Sequence, residues 1–159
     1  LAAPAPAGSS GIAPTVEIPA GIDFEACKGR LPFPVSGRYT IVKRFGRHKH
    51  PTLPHVETTN SGIDMATAAG AAVKCVFDGE VSAVFRPDGY NNVVVIRHGK
   101  YMTVYANLGT ISVSTGQKVK GGQTIGTVFS DPNDEHRSVL HFEIRNQRVK
   151  EDPELWLKH

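Results

Sequence analysis

Seven histidines, fifteen Asp and Glu residues and two cysteines are the side chains of this 159-residue chain that can hold a metal or move a proton. Imidazole is the ring that titrates near neutral pH and ligates metals. His48, His50 and His55 fall close together, and His-x-His spacing puts two rings on one face of a strand. Pro51 and Pro54 make that backbone irregular and no carboxylate is clearly placed beside the rings, so they read as solvent-exposed loop histidines. His98 precedes Gly99 in a turn and reads as structural. His136 follows Asp131-Pro132-Asn133-Asp134 in a polar loop, where it is a candidate proton carrier. Cys27 and Cys75 are too few for a four-thiolate metal site. Cys75 sits in the apolar run Val73–Phe77 and reads as a buried thiol; whether it pairs with Cys27 stays open.

These groups need elements to position them. Residues 1–20 are rich in Ala, Pro, Gly and Ser and read as a linker. Residues 21–30 suggest one short helical turn with Asp23 as its cap, and Leu31-Pro32-Phe33-Pro34-Val35 enters the domain extended. The expected division is therefore a linker and extension over 1–30 and one domain over 31–159. From residue 37 onward the pattern is strand and turn. Tyr39–Val42, Ile63–Met65, Ala72–Phe77, Glu80–Phe85, Asn92–Arg97, Tyr101–Tyr105, Thr124–Phe129 and Leu140–Arg145 are the expected strands. Asp78-Gly79 predicts a hairpin joining the third and fourth of these, and His98-Gly99-Lys100 predicts another. Pro153–Leu157 reads as a single helical turn that packs Trp156 on the body. Many short strands at regular spacing argue for an all-β sandwich or barrel. Two long polar loops, 46–60 and 129–138, read as walls of a groove.

The bulk numbers bound the function. A net charge of +3 and a pI near 9.0 are only mildly basic, and no Lys/Arg run of the nucleic-acid-binding kind appears. The densest basic patch, Lys43, Arg44, Arg47, His48, Lys49 and His50, reads as a solvated loop, or else as a rim for an anionic cell-wall polymer. No apolar stretch reaches eighteen residues, so no membrane span is expected. The chain opens on Leu1, which reads as a piece of a longer precursor. Lys118 and Lys120 precede Gly121-Gly122 in a segment similar to biotinyl and lipoyl carrier hairpins. The tip lysine of those carriers is absent, so the glycines read as turn residues.

Six blocks in order resemble the lysostaphin-type (LytM) peptidoglycan metallopeptidases: RFG at 44–46, NSGIDMAT at 60–67, DGEVSAV at 78–84, NNVVVIRHGKYMTVYANL at 91–108, VSTGQKVKGGQTIGTV at 113–128 and VLHFEIR at 139–145. The resemblance covers about 31–158. It implies an antiparallel two-sheet, barrel-like fold, the duplicated hybrid motif, with a groove across one sheet. Active members bind zinc through a His-x-x-x-Asp pair and the second His of a later His-x-His. The first His of that His-x-His and another His two residues after a Tyr move protons. Carried over by position, the first metal His falls on Asn60, the Asp on Asp64, and the later metal His on His141. The two proton-handling positions fall on Asn107 and Val139.

A catalytic zinc needs about three protein ligands and an open position for water. Asp64 and His141 are the retained ligands, and Asn60 offers a neutral amide, a poor zinc donor beside imidazole. Val139 and Asn107 cannot carry a proton at neutral pH, so neither a metal-activated water nor a general base is expected. The resemblance is closest to the degenerate EnvC-like murein hydrolase activators. There the groove, here Asn60, Asp64, Asn107 and His141, is kept as a docking surface and the partner is an amidase acting on peptidoglycan during cell division. The expected reading is thus a non-catalytic regulatory domain of the periplasm or cell envelope, with no cofactor. Its two rivals are a zinc endopeptidase whose third ligand is His136 or a loop histidine, and a peptidoglycan-binding module without an enzyme partner. Asp64 and His141 are expected to be hydrogen-bonded to each other or to Asn60, since buried polar groups must be paired. Asn60 and Asn107 either line the groove or satisfy loop backbone.

Overall fold

The computed structural model describes residues 24–49, 55, 57–87 and 91–158. Twelve strands run through them: β1 (Tyr39–Lys43), β2 (Gly46–Lys49), β3 (Glu57–Asn60), β4 (Ile63–Thr67), β5 (Ala72–Lys74), β6 (Gly79–Phe85), β7 (Asn92–His98), β8 (Tyr101–Ile111), β9 (Lys118–Val119), β10 (Thr124–Val128), β11 (Val139–Asn146) and β12 (Val149–Glu151). Two single 3-10 turns, Glu25–Cys27 and Pro153–Leu155, are the helical elements described. Ten strands form one antiparallel, branched network along the path β1-β4-β11-β8-β7-β6-β9, in which β10 joins β8 to β5. The fold is all-β and antiparallel, as expected. β2 and β3 form a separate two-stranded ribbon.

Alternation explains the layering. Ile63 and Met65 of β4, Leu140, Phe142 and Ile144 of β11, and Tyr105 of β8 all lie at or below 1% exposure on one face, with Val73, Ile125 and Val128 of β5 and β10 buried in the same cluster. The residues between them, Asp64, His141 and Glu143, therefore share the opposite face, because successive side chains along a strand point to opposite sides.

The core reaches back beyond the expected boundary at residue 31. Phe24 is 1% exposed and its ring packs against His98 at 4.8 Å, Trp156 at 4.9 Å and Tyr101 at 5.1 Å. Leu31 bridges Leu157, and the amides of Gly29 and Leu31 donate to the Trp156 carbonyl, so entry and exit of the domain are tied together. The 3-10 turn there begins after Phe24 with no side-chain cap; Asp23 lies outside the described residues.

Two sequence expectations are corrected. Asp78-Gly79 does not close a hairpin between β5 and β6. β5 pairs β10, while β6 pairs β7 and β9. The backbone of Cys75 explains this: its N–H donates to Gln123 and its carbonyl accepts from Gly122, which commits the chain after β5 to the β9–β10 turn. The segment 46–60 is not wholly a loop. Its two ends pair as β2 and β3, Gly46 opposite Asn60, and 50–54 lie outside the described residues. Cys27 and Cys75 are both free thiols.

Candidate functional site

One row of residues crosses five strands on the outer face of the sheet. Lys43 of β1 stands opposite Asp64 of β4, Asp64 opposite His141 of β11, His141 opposite Ala106 of β8, and Ala106 opposite Val93 of β7. The two titratable residues singled out 77 positions apart are thus neighbours by strand register. His141 Nδ1 lies 2.6 Å from Asp64 Oδ1.

The other ring nitrogen has a partner that the sequence reading missed. His141 Nε2 lies 2.7 Å from Glu143 Oε2, two residues along the same strand. Glu143 also accepts from the Ser61 hydroxyl at 2.6 Å and from Nε of Arg145 at 2.8 Å. A chain of alternating charge therefore runs Asp64, His141, Glu143, Arg145. Period-two alternation from His141 in HFEIR was the signal that could have found Glu143 and Arg145. Burial alone would lower the His141 pKa, but the hydrogen bonds and charges of Asp64 and Glu143 outweigh it and raise it to about 9. Burial alone would raise that of Glu143, but donation from His141, Ser61 and Arg145 takes it down to about 2.

Gly62 makes this cluster possible. A Cβ there would sit 2.1 Å from the Phe142 carbonyl oxygen and 2.7 Å from Glu143 Cγ, so only glycine lets the turn before β4 lie against β11 and bring Ser61 to Glu143.

Asn107 is the bulged residue of β8, at φ +69°, between the Ala106–Val93 and Leu108–Asn92 pairs. Asn tolerates this left-handed conformation better than most residues. Its Nδ2 donates to the Val139 carbonyl at 2.7 Å and its Oδ1 accepts from Asn91 Nδ2 at 2.6 Å. Its amide is thus engaged in bracing backbone at the head of β11. Val139 pairs Ala66 and offers an aliphatic side chain. Asn60 ends β3 at 8% exposure, and its buried Nδ2 has no hydrogen-bond partner.

The other histidines lie elsewhere. His48 Nε2 donates toward the carbonyls of Arg44 and Phe45 at 3.1 and 3.2 Å. His55 and His136 are exposed, both at positive φ, and His50 lies outside the described residues. Among the described residues, no three His, Cys, Asp or Glu side chains form a group that could hold a metal ion. His98 is buried: Nδ1 donates to the Asp78 carbonyl at 2.8 Å, and Nε2 lies 2.9 Å from Thr103 Oγ1, which continues to the Tyr105 hydroxyl. A neutral ring satisfies both contacts, and burial pulls its pKa down to about 4.

The donor set can be weighed against the zinc that the resemblance implies. A metal-ligating imidazole ordinarily gives its second N–H to a carboxylate, and Glu143 does this for His141. Nδ1 then faces Asp64, the carboxylate position of the implied ligand set. The third position, Asn60, holds an amide, and the Nδ1–Oδ1 contact of 2.6 Å closes the gap between the remaining two donors. Two strong donors and an amide do not fit a catalytic zinc.

The sequence profile of Peptidase family M23 matches residues 58–153. Murein hydrolase activator EnvC of Escherichia coli (strain K12) is 37% identical over 133 residues, covering 83% of this chain and 30% of that protein. The DD-carboxypeptidase/endopeptidase Mpg of Neisseria gonorrhoeae is 38% identical over 109 residues, covering 66% of this chain and 24% of that protein. The chain thus spans under a third of the length of either. A zinc-containing peptidase from Vibrio cholerae superposes with a TM-score of 0.68 at 32% identity, over 80% of this chain and 40% of that one. The profile covers more than half of the chain: this chain belongs to Peptidase family M23, the lysostaphin-type (LytM) fold.

Proposed function

We propose that this chain is a non-catalytic regulatory domain of the cell envelope, which activates or positions a peptidoglycan hydrolase, an amidase, during cell division. One observation carries the reading. Of the five positions that the family uses for zinc and proton transfer, only Asp64 and His141 hold a side chain able to do either; Asn60, Asn107 and Val139 do not. The similarity to EnvC, a murein hydrolase activator, points the same way. The groove floor of Asn60, Asp64, Asn107 and His141 then acts as a shaped surface. Activation of an inhibited partner requires only that this surface bind one of its conformations better than the other.

The test is dye release from labelled sacculi by an envelope amidase with and without this chain. Stimulation by the chain, with no release by the chain alone, is the expected result. Release by the chain alone would overturn the reading, and binding to sacculi with no effect on any amidase would favour a plain peptidoglycan-binding module.

A second reading, a zinc endopeptidase with a rearranged site, draws on the Glu143–His141 contact and on the similarity to Mpg. It needs a third donor beside Asp64 and His141, such as His136 or one of the loop histidines.

A further inference from the structure

β1 ends the sheet, and its composition is unusual for an end strand. Among the described residues it pairs with β4 alone, through Tyr39–Thr67, Thr40–Ala66 and Ile41–Met65. Four of its five residues are exposed, including Tyr39 at 38% and Val42 at 48%. An open edge presents a row of backbone donors and acceptors to any passing strand. Proteins usually blunt such edges with charge, bulges or a covering element. A bulge does follow Ile41, but it leaves three regular pairs before it. The sequence there, YTIV, is β-branched and aromatic, the composition that pairs best.

The stretch of chain that carries this edge has charge of one sign. Residues 26–49 contain seven Lys and Arg and no Asp or Glu. Arg44 is neutralised by Glu154 across the domain entry. Arg38, just before the strand, and Lys43, its last residue, are exposed and make no ion pair among the described residues. Lys43 stands opposite Asp64, so the edge is continuous with the candidate site. Phe33 stacks on Tyr39 at 4.2 Å and gives the strand an aromatic shelf at its N-terminal end.

We infer that the β1 edge, Tyr39–Lys43, with the cations Arg38 just before it and Lys43 at its end, is a docking site for an extended acidic segment of a partner protein, which adds to the sheet as one further strand. Backbone pairing supplies affinity and the two cations supply selectivity. A second copy of this chain is disfavoured as occupant, because pairing two β1 edges brings like charges together. This edge borders the groove row at Lys43 and Asp64, but strand addition to it needs nothing from the groove, and the inference holds whether or not the groove serves an amidase.

The probe is a synthetic peptide of about twelve residues alternating Glu with Val and Thr, titrated against the full chain. Hydrogen exchange reads the amides of residues 38–44. Micromolar binding, new protection of those amides and weakening with salt are expected. Arg38→Glu with Lys43→Glu should lower affinity at least about tenfold, roughly 1.4 kcal/mol, with the fold intact by circular dichroism. A control peptide of equal charge carrying Pro at alternate positions cannot pair. If it binds as tightly, or if protection appears elsewhere than β1, the inference is wrong. Concentration-dependent dimerisation that protects β1 without peptide would equally overturn it.

Discussion

His141 on β11 and Asp64 on β4 face each other across a strand pair, Nδ1 to Oδ1 at 2.6 Å. Glu143 holds the opposite side of the imidazole at 2.7 Å. The contact ties two central strands together on the outer face, and it gives the cluster a structural role independent of metal.

Removing Glu143 should therefore destabilise the fold. Its side chain is 7% exposed and accepts from Ser61, His141 and Arg145. Glu143→Ala leaves His141 and Arg145 without their shared carboxylate, and a loss of about 3 kcal/mol is expected from urea denaturation. A change below about 0.5 kcal/mol, the range of ordinary surface substitutions, would show that the cluster holds nothing together.

Gly62→Ala should be worse than its size suggests. The added methyl meets the Phe142 carbonyl oxygen at 2.1 Å, a backbone atom that cannot rotate away. β4 and β11 must separate or the turn must refold, at a cost on the order of 3 kcal/mol. Melting temperature and the chemical shift of the His141 ring report both effects. Little change in either would mean that the turn has slack.

Much of the site was legible in the sequence, and the omissions have physical causes. Asp64 and His141 stood out because block order and spacing placed them. Glu143 did not, because HFEIR reads first as alternating core and surface, and a surface glutamate is ordinarily solvated. Asn107 was open between groove and backbone because its role depends on a bulge, a register property that no local pattern records. The Asp78-Gly79 turn signal was real, but Cys75 had already bonded to the 122–123 turn, so tertiary pairing overrode it. Phe24 was missed because one aromatic beside a Pro- and Gly-rich stretch carries no periodicity.

His98 should make the fold acid-sensitive. Buried and neutral, it has a pKa near 4 against an ordinary 6.5, so the unfolded chain binds one more proton between those values. The contribution is fully present above pH 6.5, falls as pH drops, and is lost by about pH 4, for roughly 3 kcal/mol in all. Stability measured against pH should lose this slope in His98→Asn, after allowing for that variant's lower baseline. An unchanged slope between pH 6.5 and 4 would assign the acid sensitivity elsewhere.

Asn60→His should return metal binding without returning hydrolysis. It supplies the third donor beside Asp64 and His141, whose orientation Glu143 already fixes, and zinc affinity should rise at least about a hundredfold. Asn107 and Val139 would still carry no proton, so muropeptides should stay intact. Calorimetry with zinc and chromatography of the digest separate the two effects. No gain in zinc affinity would mean that Asn60 is not the vacated ligand position.

The most direct measurement is the zinc content of the unaltered protein after equilibration with excess zinc and exhaustive dialysis. Two strong donors and an amide should retain less than about a tenth of an ion per chain, and muropeptides incubated with the zinc-treated protein should remain uncut. One ion per chain surviving dialysis, lost on Asp64→Ala and on His141→Ala, would contradict the account outright.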